Sequence, residues 1–406
     1  MVDGGHGQGK DGIGPPELAD YFLLSEDVTF LNHGSYGACP RPVFETYQAW
    51  QRTLEAQPVE FLNRRIKGLL AEARAILAKY VGASADDLVF VPNATHGVNI
   101  VARSLDLHRG DEVLSTNHEY GAIDRTWRFN CERGGARYLN HPIHLPVEHQ
   151  DEVVEQLWAC VSEQTRVIAI SHISSFTALI FPIAEICRRA RAAGIVTVID
   201  GAHAPGQIDL DLTALGADFY IGNCHKWLCA PKGAGFLYAR PERQDLLKPF
   251  VVGWGWQSAQ PGHSPFIDHF DWAGTQDPSA YLSVPAAIAF QAEHDWPAVR
   301  AGCHALAAQT RERVAALTGL PQISPSSATW WNQMCSMPLP PIDLAALGTR
   351  LLNDYHVEIP IIPWQDHVFM RVSIQAYNGQ RDVDTLLDAL EHLLPDAVGR
   401  SEHAPK

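Results

Sequence analysis

Between residues 40 and 285 short continuous apolar runs alternate with amphipathic segments, and this alternation limits the possible folds more than any other feature. The runs are DDLVFVP, DEVLST, RVIAISHI, IVTVID and DFYIGN; among them lie THGVNIVARSL, a second helical stretch with a stop, and PIAEICRRARAAG. A strand that is apolar on both sides of its pleat must be covered on both faces, the pattern of a mainly parallel sheet with helices above and below. Ligands on such sheets sit beyond the carboxyl ends of the strands. We therefore expect a large α/β domain over 17–285, with segment 17–40 contributing to its active site. The Gly-rich, aperiodic opening MVDGGHGQGKDGIGPP reads as a flexible arm, 1–16. Past 285 the text changes: VPAAIAFQAEHDW, 305–317 and 383–394 read as helices and HVFMRVSIQ as a strand, so 286–406 is expected to be a smaller α+β domain.

Charge and cysteine usage narrow the function classes. A net charge of −15 repels nucleic-acid phosphates and anionic membranes, and no basic stripe overrides it, so neither is an expected partner. No apolar run is long enough for a bilayer and no signal layout opens the chain, which makes the expected setting cytoplasmic and the expected partner a small molecule. Eight cysteines without a CxxC pair fit reduced thiols better than a disulfide frame or a metal site. Gly4 to Lys10 satisfies G-x-x-x-x-G-K, yet Asp11 stands where a magnesium-binding Ser or Thr belongs and no strand precedes it. It is not expected to bind phosphate.

The chemistry-bearing residues collect just past the strand runs. Asn93, Ala94, Thr95 and His96 open a helix, where backbone N–H groups and the helix dipole favour an anion. Asp200 ends one strand, with His203 three residues on; His225 and Lys226 end the next. A lysine at a strand end is ordinarily surface charge. Lys226, however, follows a buried run, sits beside Trp227, and faces Asp200 if the two strands are neighbours. A lysine for a Schiff base, an aspartate for a pyridine nitrogen and a helix start for a phosphate are the three anchors of pyridoxal 5′-phosphate.

The segment VIDGAHAPGQIDLDLTALGADFYIGNCHKWLCAPKGAGFLYAR resembles the core of class V aminotransferase-like, fold-type I pyridoxal-phosphate enzymes, and within them the isopenicillin N epimerase-like family. The likeness runs from FLNHGSYGACPRPV to RVSIQAYN. It implies that Lys226 carries the cofactor covalently and that Asp200 pairs with its ring nitrogen. It places Tyr120, in NHEYGA, as a ring stacked on the cofactor, and His203 and Ser175 against the ring face and its 3′-oxygen. Thr95, His96, Asn223 and His225 are implied phosphate ligands. Thr275, in DWAGTQDPSA, is implied to reach the phosphate of a neighbouring subunit, hence a homodimer with active sites at the interface. Arg371 is implied to take the substrate carboxylate through its bidentate fork, which would hold the Cα–H bond upright for proton loss. Asn32, His33 and Tyr36, in NHGSYG, fall on the substrate side.

The reaction stays open at this stage. Proton removal by Lys226 followed by return from the opposite face is epimerisation and needs an acid there, for which Tyr120, His33 and Tyr36 are candidates. Loss of a β-sulfur group instead is C–S lysis, of the cysteine desulfhydrase or ergothioneine-pathway sulfoxide lyase type; transamination is a weaker alternative. Desulfurases of this class need a mobile cysteine shortly before the carboxylate arginine. VEIPIIPWQDHVFMRVS has none, Cys335 being the nearest upstream, and Cys224 and Cys229 read as packing residues. A cofactor-free binding module is the non-enzymatic alternative, disfavoured by the joint presence of Lys226, Asp200 and Arg371.

Overall fold

The computed structural model describes residues 18–401; the expected arm and the G-x-x-x-x-G-K stretch lie outside the described residues. Its strands are β1 Thr29–Phe30, β2 Leu88–Val91, β3 Glu112–Thr116, β4 Arg137–His141, β5 Thr165–Ser171, β6 Val196–Gly201, β7 Phe219–Asn223, β8 Gly235–Ala239, β9 Met334–Leu339, β10 Val357–Glu358, β11 Ile361–Trp364 and β12 His367–Ser373. They fall into two compact units, Pro42–Ala292 and residues 18–41 with 293–401.

The first unit carries one seven-stranded sheet in the order β2-β8-β7-β6-β5-β3-β4. From β7 to β4 all neighbours are parallel, and only β8 runs against its neighbours. β2 thus points the same way as β7, and the carboxyl ends of β2, β3, β5, β6 and β7 share one edge. The continuous apolar runs are buried as expected: Phe219, Ile221, Ile199 and Ile168 show no exposure, each side chain contributing roughly 1.5–3 kcal/mol. The sequence reading passed over β4 and β8. β4 is an edge strand with Arg137 exposed and only partial burial, so its polar RYLNH lacks the apolar signature.

Helix Ala94–Ser104 lies on the β7 side of this sheet because Gly97 lets it in: a Cβ there would stand 2.6 Å from Ile221 Cγ2. The close approach brings the helix start beside the end of β7.

The second unit holds the antiparallel sheet β11-β12-β9 and the parallel pair β1-β10. Helices Trp296–Thr318, Leu344–Tyr355 and Gln380–Ser401 accompany them. The expected helix at 305–317 begins earlier because Pro297 is tolerated in a first turn, and it stops at Gly319 in the left-handed region, φ 67°. The division of the chain also differs from the expected 17–285 and 286–406. Pairing of Thr29 with Val357 and Phe30 with Glu358 ties residues 18–41 to the second unit, and that unit resumes at residue 293.

Candidate active site

In the first unit the ends of β6 and β7 lie side by side, Asp200 opposite Ile221 and Gly201 opposite Gly222. β7 then turns: Cys229 N–H donates to the Lys226 carbonyl at 3.0 Å and Ala230 N–H to the Cys224 carbonyl at 3.0 Å. This turn brings Lys226 Nζ to 3.0 Å from His203 Nε2, while Trp227 Nε1–H donates to His203 Nδ1 at 3.3 Å. Asp200 is buried and accepts from Ala202 N–H at 3.0 Å. Burial pushes its carboxyl above the ordinary range, with the Ala202 N–H and the Lys226 charge pulling the other way. A buried carboxylate under that strain favours a cationic N–H partner, which is what a protonated pyridine nitrogen offers. Lysine and aspartate therefore suit two of the cofactor's three anchor groups.

At the helix start Asn93 Oδ1 accepts from His96 N–H at 2.9 Å, and Ala94 N–H donates to Asn223 Oδ1 at 2.8 Å. Two of the N–H groups expected to face a phosphate are therefore engaged by side chains, and Asn223 docks the helix onto β7. His225 donates Nδ1–H to the Ala234 carbonyl at 3.1 Å, and burial pulls its imidazole down to about 4, so it is neutral. Ser175 lies half-buried on the turn after β5 and Thr275 is exposed. Tyr120, 48% exposed, caps helix Gly121–Gly134.

Its neighbour Glu119 went unread in the sequence, although NHEYGA was singled out. Glu119 is buried, accepts Thr116 Oγ1–H and Ser171 Oγ–H at 2.7 Å each, and is pushed up to about 8 by burial, with the nearby Asp200 adding to the rise. Ser171 pairs with Asp200 across β5 and β6. Trp227 was also read only as a neighbour; its indole N–H is what orients His203.

In the second unit Arg371 is buried on β12 and donates from Nη2 to Ser35 Oγ at 3.1 Å. Ser35 donates to Asn32 Oδ1 at 2.6 Å, and Asn32 Nδ2 to Glu358 Oε1 at 3.1 Å. Burial lowers the guanidinium to about 10. His33 is fully buried, with Nδ1 3.0 Å from Tyr377 Oη and Nε2 3.3 Å from Gln375 Nε2. Both ring nitrogens of His33, an acid candidate from the sequence, are thus within hydrogen-bonding distance of neighbouring side chains. Tyr36 is 74% exposed. The stretch before Arg371 is a tight hairpin, Trp364 opposite His367, and Cys335 pairs with Val372 on the adjacent strand. Buried there, its thiol is pushed up to about 12.

The aminotransferase class-V family profile matches residues 36–386. The chain belongs to this family. Its cofactor is pyridoxal 5′-phosphate. It is 37% identical to the isopenicillin N epimerase of Amycolatopsis lactamdurans over 91% of this chain and 96% of that protein. It is 29% identical to the putative L-cysteine desulfhydrase 1 of Oryza sativa subsp. japonica over 93% of this chain and 86% of the relative. The apo cysteine desulfurase of Thermococcus onnurineus NA1 superposes with a TM-score of 0.81 at 21% identity, over 94% of this chain and 98% of that one. That likeness speaks for the fold, which is fold-type I. Among the described residues no helix is long and apolar enough to cross a membrane.

Proposed function

We propose that this class-V family member is an amino-acid epimerase of the isopenicillin N epimerase kind, removing and returning the proton at Cα. The reading is carried by the 37% identity to such an epimerase across 91% of the chain, in a protein that holds the Lys226 amine 3.0 Å from His203 at the end of β6. When bound, pyridoxal 5′-phosphate supplies an electron sink for the pair left as the Cα–H bond breaks. Lys226 would anchor it and serve as base, and Asp200 would keep its ring nitrogen protonated. His203 and Ser175 would face the ring and Tyr120 would stack on it. Thr95, His96, Asn223 and His225 would hold its phosphate. Arg371, held by Ser35 and Asn32, takes the substrate carboxylate. Tyr120 and Tyr36 remain as acids for the opposite face. Thr275, exposed on its own chain, reaches a second copy in a homodimer. Eight unbridged thiols support a reducing, cytoplasmic setting.

A second reading, C–S lysis, is supported by the 29% identity to a putative cysteine desulfhydrase. A desulfurase-type persulfide route is disfavoured, because the hairpin before Arg371 contains no cysteine and the Cys335 thiol is buried on its strand. Proton NMR in deuterated water with L-amino acids and cysteine conjugates tests the choice. Deuterium at Cα of an intact amino acid, with the D-epimer accumulating, is the expected result. Pyruvate and a sulfur fragment would replace epimerisation with lysis.

A further inference from the structure

We propose that Trp227 is a positioning residue: its indole N–H locks His203 in the tautomer protonated at Nε2, so that Lys226 meets a hydrogen-bond donor and is held as the neutral amine. This rests on the reading of Lys226 as the cofactor lysine.

An indole N–H can only donate. Trp227 Nε1 stands 3.3 Å from His203 Nδ1, so Nδ1 must present its lone pair. A neutral imidazole with a bare Nδ1 carries its single proton on Nε2. That nitrogen is 3.0 Å from Lys226 Nζ, and an N–H there needs a lone pair opposite, which an amine has and an ammonium lacks. The alternative, an ammonium donating to a bare Nε2, moves the imidazole proton to Nδ1. Two N–H groups would then face each other across 3.3 Å in a buried place. An imidazolium has the same conflict at Nδ1.

The lock is held from several directions. Trp227 is fully buried and His203 nearly so. The Trp227 carbonyl accepts from Gln291 Nε2 at 2.9 Å, and the His203 carbonyl from Gln207 Nε2 at 2.8 Å. Gly206, with φ +89°, lies so close that a Cβ would stand 2.3 Å from the Trp227 carbonyl oxygen. Charged and titratable groups beside Lys226 include Asp200, His203 and His225. Asp200 favours the ammonium, and His225 is neutral. The tautomer lock works against the Asp200 field. An unprotonated lysine is the form that can capture a carbonyl carbon or accept a proton from Cα.

The first test is nitrogen NMR of apoprotein labelled with 15N-histidine, with His203 assigned by the signals lost in His203→Gln. A protonated Nε2 and a bare Nδ1 near neutral pH are expected; the reverse overturns the proposal. The second test is Trp227→Phe, which keeps an aromatic ring and deletes the donor. It should still turn yellow, but capture pyridoxal 5′-phosphate about tenfold more slowly at neutral pH, with the rate regained about one pH unit higher. A folded Trp227→Phe protein with the wild-type capture profile overturns the proposal. If that variant does not fold, the wild-type nitrogen spectrum decides alone. Lys226→Ala separates this from the reading beneath it: a yellow, borohydride-trappable Lys226→Ala protein removes the anchor assignment, and with it the proposal. A colourless one leaves the two tests above to judge Trp227.

Discussion

At the scale of single residues, the buried acids and imidazoles set the pH behaviour. Glu119 is raised from an ordinary 4.5 to about 8, so the folded protein keeps a proton that the unfolded chain has lost across that window. Its contribution to stability is whole below 4.5 and is lost as pH rises through about 8. His118 and His172 are lowered from 6.5 to about 4 by burial, so their contribution is whole above 6.5 and is lost as pH falls towards 4. Of these three groups, the two imidazoles lower stability towards acid and Glu119 lowers it towards alkali. Glu119→Gln should reduce the alkaline decline and raise the melting temperature at its upper end by a few degrees, since each kcal/mol is worth about 1 °C in a protein of this size. Melting curves across the window check this; an unchanged decline would mean Glu119 is not its source. Arg371→Lys should raise KM about tenfold or more, because one ammonium cannot reproduce the guanidinium fork, and should leave the visible band intact. Loss of the band with an unchanged KM would refute the carboxylate role.

At the scale of elements, the helix start is where sequence and structure agree in part. Asn93 was legible as the opening of a helix at a strand end, and its side chain does cap His96 N–H. The use of Ala94 N–H by Asn223 was not legible, because Ala94 opens the helix after β2 while Asn223 ends β7, and the two meet only through sheet order. Asn93→Ala should cost about 1 kcal/mol in a denaturant titration and weaken cofactor retention in dialysis. Wild-type stability in that variant would mean that the cap carries no weight. β4 was unread because an edge strand need not be apolar, and β8 because sequence periodicity does not announce an antiparallel insertion in a parallel sheet.

At the scale of the whole molecule, the proposed homodimer predicts that the yellow protein sediments at twice 44.8 kDa. A yellow species of 44.8 kDa would refute it.

The sequence by itself determined the layered α/β class, because strands apolar on both pleat faces have one way to be covered. It also singled out the candidate cofactor residues, because lysine, aspartate and helix start are each tied to a strand end that the apolar runs mark out. Only the tertiary structure decided the partners of those residues. Nothing in the order of residues says that Trp227 N–H meets His203, that Glu119 lies between Thr116 and Ser171, that His33 is held by Tyr377 and Gln375, or that residues 18–41 join the C-terminal unit through β1 and β10. Each of these depends on directional hydrogen bonds between distant parts of the chain, fixed by strand order and register, whereas burial of apolar runs depends on local pattern and can be read in one dimension.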